Sequence, residues 1–186
     1  DTDSHSTLPV INATKEALNE NEIYPFKAAI QDSIRMIMIG HLVVPSLDTS
    51  YKPATHSHSI TTDLLKNKLG FRGVIITDGM EMGGLTDNSW AGESAIRALE
   101  AGCDILLLPM DIEATRKALL EAIKNGRISI DRINQSIKRI WKAKKELNLF
   151  SDKEREWSEL EVEIGKKDNY KAANEMANKS ITIIKD

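Results

Sequence analysis

Residues 73–78 read Gly-Val-Ile-Ile-Thr-Asp, and the fold can be worked out from this stretch. Its run of β-branched residues, 74–77, predicts a strand buried on both faces, which the following Asp-Gly pair ends. Similar short apolar runs occupy residues 35–45 and 104–108. Helical patterns separate the three runs, and short non-alternating strands joined by helices predict parallel pairing through βα units. The sequence therefore predicts an α/β fold.

The predicted helices follow from apolar residues at helical spacing and from glycine or polar residues at their ends. They cover residues 16–33, 62–69, 90–101, 112–125 and 129–147. The character of the chain changes after residue 150, because residues 151–169 are dominated by Glu, Lys and Asp and predict a solvated linker. Residues 170–186 predict a helix followed by a strand at 179–185, which would be the first strand of a further domain.

Charge and composition exclude several classes of partner. The 186 residues carry a net charge of −3, so nothing in the chain calls for nucleic acid or an anionic membrane. No apolar stretch approaches the roughly 18 residues of a membrane helix. No glycine-rich phosphate loop follows any predicted strand, and we expect no cofactor. We expect Cys103 to be a small core residue. We expect His56-x-His58 to lie in a surface loop and to bind no metal.

Asp78 is the strongest chemical candidate. Ligands of parallel α/β folds bind at the carboxyl ends of the strands, where this residue lies, and Gly79 after it leaves the carboxylate little competition for space. An aspartate at this position is equally typical of a turn or a helix N-cap. We expect His41, near the end of the first predicted strand, to be an inner histidine held by hydrogen bonds.

Asp3 and His5 form a second candidate pair near the start of the chain. Their spacing of two residues projects both side chains to one side of an extended loop, where the carboxylate can orient and charge-stabilise the imidazole. A solvated polar loop explains the same pattern. Together with Asp78, the pair supplies a carboxylate nucleophile and a supported acid/base, which suggests covalent chemistry on an acetal.

These stretches together resemble glycoside hydrolase family 3, and specifically its β-N-acetylglucosaminidase branch. The resemblance covers Asp1-Thr-Asp-Ser-His-Ser-Thr-Leu-Pro9, Met38-x-Gly-His41, Leu69-Gly-Phe-Arg-Gly-Val-Ile-Ile-Thr-Asp78, Ala101-Gly-Cys-Asp-Ile-Leu-Leu-Leu-Pro109 and Lys179-Ser-Ile-Thr-Ile-Ile-Lys185. It implies that Asp78 is the nucleophile, His5 the acid/base and Asp3 its partner. Met38 would line the sugar pocket. The sequence departs from the family at Gly79, where relatives often have Asp.

The resemblance also implies the domain organisation. Residues 1–150 would be the C-terminal part of a (β/α)8 TIM-type barrel, its last three strands and their helices. Residues 151–169 would be a linker, and 170–186 the start of a second, α/β-sandwich domain. We therefore expect the chain to need the preceding part of the same protein, which would carry further sugar-binding residues.

The implied activity is a retaining hydrolase that releases terminal β-linked N-acetylglucosamine from an oligosaccharide or a peptidoglycan fragment. An extracytoplasmic location is favoured over a cytoplasmic one. Three alternatives stay open: a family 3 β-glucosidase or β-xylosidase, a barrel that binds sugar without turnover, and a phospho-acceptor signalling domain. Relatives with the first activity generally lack the Asp-x-His loop, and the signalling domain needs an acidic pair that is not placed here.

Overall fold

The computed structural model describes residues 3, 7–82, 85, 90–151 and 156–182. The chain divides into two compact units, residues 1–148 and 149–186. The first unit holds a three-stranded parallel sheet with helices between the strands. The predicted α/β class is therefore confirmed.

The sheet consists of β1 (Met36–Ile39), β2 (Val74–Gly79) and β3 (Ile105–Leu107), in that order. Both pairings are parallel, with Ile39 beside Thr77 and Gly79 beside Leu107. All three apolar runs of the sequence form strands, and their carboxyl ends meet at one edge of the sheet. The register shifts between Ile76 and Gly79, where β2 pairs with β3.

In the described part of the first unit, six helices follow the predicted order. They are α1 (Lys15–Glu20), α2 (Tyr24–Gln31), α3 (Ser59–Lys68), α4 (Ala91–Ala101), α5 (Ile112–Lys124) and α6 (Ile130–Glu146). Helix α3 has π-type hydrogen bonds, and a 3₁₀ turn at Ala54–His56 precedes it. The single helix predicted over 16–33 is wrong: the chain forms α1 and α2 there, because Pro25 occupies the first turn of a new helix.

The prediction that the first strand is buried on both faces is also wrong. Met36 and Met38 are 43% and 49% exposed, whereas Ile37 and Ile39 are buried. The buried face of the sheet packs against the helices in one apolar core, whose members include Leu18, Ile37, Ile39, Leu65, Phe71 and Ile75. Both faces of β1 carry apolar side chains, methionine on one and isoleucine on the other. Hydrophobicity alone therefore does not distinguish the two faces.

The second unit contains α7 (Trp157–Ile164) and α8 (Lys167–Ser180). Helix α7 lies inside the segment predicted as a linker, and none of its described residues is buried. Lys179 and Ser180, which the sequence places at the start of a strand, instead end α8. Residues 183–185, the last three of that predicted strand, lie outside the described residues. None of the described helices is long and apolar enough to cross a membrane.

Candidate active site

The carboxyl edge of the sheet carries Asp78 near the end of β2. The parallel register aligns Met38 with Ile76, and Asp78 lies two residues further along the same strand. Side chains of register partners in a parallel sheet point to the same face, as do residues two apart. Met38, Ile76 and Asp78 therefore share the face of the sheet that is opposite the buried Ile37 and Ile75.

Asp78 is half-buried, and one of its oxygens has a local partner. Its Oδ1 accepts a hydrogen bond of 2.8 Å from the backbone N–H of Gly79. No residue that the structure describes donates to the second oxygen, Oδ2. The carboxylate therefore makes one local bond, to the next residue in the chain, and it also keeps an oxygen available for a ligand at the edge of the sheet.

His41 lies directly beside this site and is only 1% exposed. Its Nε2 lies 3.0 Å from the carbonyl oxygen of Gly79, and its Nδ1 lies 2.6 Å from Oγ1 of Thr55. A carbonyl can only accept, so Nε2 carries the proton and Nδ1 of the neutral ring accepts from the Thr55 hydroxyl. The prediction of a hydrogen-bonded inner histidine is confirmed.

The environment favours the neutral form of this ring. Burial lowers the pKa of His41 below its ordinary value, although the bond to the Gly79 carbonyl and the charge of Asp78 both act in the opposite direction. A neutral imidazole thus donates one fixed hydrogen bond to the backbone at the end of β2.

The proposed acid/base pair is described only in part. His5 lies outside the described residues. Asp3 is exposed, and its backbone carbonyl accepts a hydrogen bond of 3.1 Å from the N–H of Thr7. The pairing of Asp3 with His5 and its distance from Asp78 therefore stay predictions.

The other histidines have separate partners. Nε2 of His56 lies 3.0 Å from Oγ of Ser94, and burial lowers the pKa of this imidazole to about 4. His58 is exposed and lies 3.3 Å from a carboxylate oxygen of Asp63. Across the part of the chain that the structure describes, no three His, Cys, Asp or Glu side chains come together as a metal site.

Asp104 is a buried charged residue whose role sequence reasoning missed. Its carboxylate accepts hydrogen bonds from the N–H of Ile75 at 3.0 Å, from Ser136 at 2.6 Å, and from Nε and Nη2 of Arg139 at 3.0 and 2.7 Å. These bonds hold the pKa of Asp104 below its ordinary value in spite of burial. The sequence signal for a buried carboxylate was an aspartate next to an apolar run. The partners of this aspartate could not be identified, because they lie about 30 residues away in the chain.

The neighbouring Cys103 is a core residue, as predicted. Its side chain is fully buried, and this burial raises the pKa of the thiol to about 12. A buried, protonated thiol of this kind is typical of a packing role in the core.

The chain is similar to several known proteins. Residues 1–143 match the glycosyl hydrolase family 3 N-terminal domain. The chain is 32% identical over 165 residues to Beta-hexosaminidase A of Pseudoalteromonas piscicida, covering 78% of this chain and 28% of that protein. It is 39% identical over 120 residues to a protein of Arthroderma benhamiae described as an uncharacterized secreted glycosyl hydrolase, covering 62% of this chain and 34% of that one.

A solved structure is similar as well. The glycoside hydrolase family 3 β-N-acetylglucosaminidase from Paenibacillus sp. str. FPU-7 matches with a TM-score of 0.80 at 33% identity, over 83% of this chain and 30% of that chain. The present chain thus spans about a third of the length of these relatives.

Proposed function

The chain belongs to glycosyl hydrolase family 3, and we propose that it supplies the nucleophile of a retaining hydrolase that releases terminal β-linked N-acetylglucosamine. The observation that carries this proposal is the position of Asp78, half-buried at the carboxyl edge of a parallel sheet with one oxygen held by the backbone. The relatives named as hexosaminidase and β-N-acetylglucosaminidase support the substrate class.

The first proposed step is attack by Oδ2 of Asp78 on the anomeric carbon. The bond between that carbon and the leaving oxygen breaks, and a covalent glycosyl-aspartate forms. The hydrogen bond from Gly79 to Oδ1 fixes the orientation of the carboxylate, so that the second oxygen is directed consistently. His5 protonates the leaving oxygen as it departs.

The second proposed step returns the enzyme to its starting state. Neutral His5 removes a proton from water, the water attacks the anomeric carbon, and Asp78 leaves as a free carboxylate. Two inversions give net retention. An imidazole suits both directions of proton transfer at neutral pH because its ordinary pKa is about 6.5. Asp3 would hold the imidazole in one tautomer and stabilise its charged form. No cofactor takes part.

The exposed face of the sheet is assigned as the sugar-binding side. Met38 lies on this face with Asp78, and its half-exposed, apolar side chain suits contact with a sugar ring. We assign residues 1–150 to the last three strands of a (β/α)8 barrel whose interior this face would line. The preceding part of the protein would close the barrel, residues 151–169 would be the linker, and 170–186 would open a second α/β domain.

We also propose an extracytoplasmic location. It is supported by the similarity to the Arthroderma benhamiae protein that is described as secreted.

The proposal is tested by trapping the covalent intermediate. The protein at its full encoded length is treated with a 5-fluoro N-acetylglucosaminyl fluoride, and the adduct is mapped by peptide mass. Trypsin cuts after Arg72 and Arg97, so Asp78 falls in the peptide 73–97. Fragment masses must separate it from the other acidic residues there, which are Glu81, Asp87 and Glu93.

A stable label on Asp78 that is absent from Asp78→Asn is the expected result. Labelling only by the corresponding fluoro-glucoside would keep the mechanism and transfer the activity to a family 3 β-glucosidase. Confirmed sugar binding without any label would favour a barrel that binds sugar without turnover.

A further inference from the structure

Gly79, the residue after the candidate nucleophile, forms hydrogen bonds through both its N–H and its carbonyl. The N–H of Gly79 donates to Asp78 Oδ1 at 2.8 Å, as described above. The carbonyl of Gly79 accepts from Nε2 of His41 at 3.0 Å and from the N–H of Met82 at 3.1 Å. The orientation of the Asp78 carboxylate therefore depends on where these partners hold Gly79.

His41 is itself fixed in place. The ring is 1% exposed, and Thr55, the partner of its Nδ1, is fully buried. The Thr55 hydroxyl also lies 3.3 Å from the carbonyl of Gly40, directly before the histidine. His41 follows β1 and Gly79 ends β2, so this one side chain joins the carboxyl ends of two neighbouring strands.

We propose that His41 is a positioning residue for Asp78: it holds the Gly79 carbonyl, and through Gly79 it keeps the nucleophilic carboxylate in its reactive orientation. This inference rests on the proposed function, in which Asp78 attacks the sugar. His41 does not reach the substrate in this role. It acts through one backbone residue, because Gly79 receives the imidazole's hydrogen bond on its carbonyl and donates to Asp78 through its N–H.

The size of the expected effect follows from the geometry of covalent catalysis. A nucleophile misplaced by about 1 Å costs about 100-fold in rate. Among the described residues, removing the donor to the Gly79 carbonyl leaves only the N–H of Met82 on that oxygen. A residue that only filled the core would change the thermal stability of the protein while the folded molecules kept their kcat.

The test compares three substitutions of His41 in the protein at its full encoded length. His41→Leu removes both hydrogen bonds. His41→Gln places an amide N–H close to the position of Nε2 and keeps the donor to Gly79, whereas His41→Asn is shorter and reaches only toward Thr55. The matched control is His56→Gln, which changes another inward histidine with a hydroxyl partner, Ser94.

We expect His41→Leu and His41→Asn to lower kcat for an aryl N-acetylglucosaminide about 100-fold while KM stays within about twofold. His41→Gln should recover to within about tenfold of wild type, and His56→Gln should keep wild-type kcat. All rates are measured below the thermal transition of each variant. A crystal structure of His41→Asn should show the Asp78 carboxylate displaced.

Two results would overturn this inference and leave the proposed function intact, provided that Asp78→Asn inactivates the protein. One is that His41→Asn is as active as His41→Gln, and the other is that His41→Leu keeps full kcat. If His41→Leu fails to fold, the comparison of Gln with Asn decides alone. A wild-type protein that binds the sugar but neither hydrolyses it nor accepts the fluorosugar label would refute the proposed function, and this inference with it.

Discussion

Replacing Asp104 by alanine should destabilise the protein more than any exposed charge substitution. The carboxylate side chain is fully buried, and it is the acceptor for the backbone of Ile75, for Ser136 and for both Nε and Nη2 of Arg139. The guanidinium of Arg132 also lies 3.6 Å away, with 17% of that side chain exposed. Alanine removes the acceptor that Ile75, Ser136 and Arg139 share. Arg132 loses an ion pair but keeps its hydrogen bonds to Ser136 and to the carbonyls of Leu99 and Cys103.

The expected cost can be worked out from these contacts. Removing one partner of a buried ion pair costs about 3–5 kcal/mol, because the remaining charge stays buried without compensation. The N–H of Ile75 adds to this as an unpaired buried donor, since unsatisfied buried groups cost about 1–3 kcal/mol. Some of that cost is recovered where water reaches the Arg139 side chain, which is 22% exposed. We therefore expect a loss of about 4 kcal/mol in the free energy of unfolding.

Two measurements check this value in the protein at its full encoded length. The urea midpoint should fall by about 2 M if the slope is about 2 kcal/mol/M. Hydrogen exchange of the peptide that contains Ile75 should speed up by about 100-fold or more, because its amide loses its acceptor and the surrounding structure opens more easily. The matched control is Glu146→Ala, which removes an exposed carboxylate partner of Arg35 and should cost about 0–1 kcal/mol. Equal losses in the two variants would refute the reasoning.

The same carboxylate predicts an acid limit to stability. The pKa of Asp104 is lowered in the folded protein, so folding favours its charged form. Its contribution is therefore fully present above the unfolded pKa of about 3.9 and is lost as the pH falls through the lower, folded value. Asp104→Asn should show less of this loss than wild type as the pH falls below about 4, as followed by urea unfolding at each pH.

Two further predictions concern the acid/base residue and the chain by itself. His5→Ala should lower kcat least with activated aryl leaving groups, because these depart without protonation; equal losses on good and poor leaving groups would remove His5 from the acid role. Residues 1–186 expressed alone should associate or melt without cooperativity, because Met36 and Met38 are exposed on an edge strand. A monodisperse sample with one cooperative melting transition would contradict that expectation.

The strands and the position of Asp78 could be predicted because their signals are local. A run of β-branched residues that ends at Asp-Gly defines a strand and its carboxyl end within six residues. Parallel pairing then follows from the helices between the strands. The two-sided character of β1 could not be predicted in this way, because Met36 and Met38 are as apolar as Ile37 and Ile39, and only the packed helices distinguish the two faces.

The polar contacts around the site could not be predicted, because they join residues that are distant in the sequence. His41 and Gly79 are 38 positions apart, and Asp104 and Arg139 are 35 apart. No spacing rule links such residues until the strand register is known. The sequence did identify His41 as an inner histidine, but its partner on β2 became visible only when both strands were placed side by side.

These contacts also explain why β2 can present a half-buried carboxylate at a defined place. Near the start of the strand, the N–H of Ile75 donates a hydrogen bond to Asp104, and at its end the carbonyl of Gly79 accepts one from His41. These two hydrogen bonds are the ties of β2. Asp78 lies between the two ties, and its neighbours Thr77 and Gly79 are buried. Both ties use buried polar groups with satisfied partners, which rigidify a structure when every member is paired. The carboxylate therefore lies on a strand that buried hydrogen bonds hold near both of its ends, which suits a nucleophile that must meet one carbon atom.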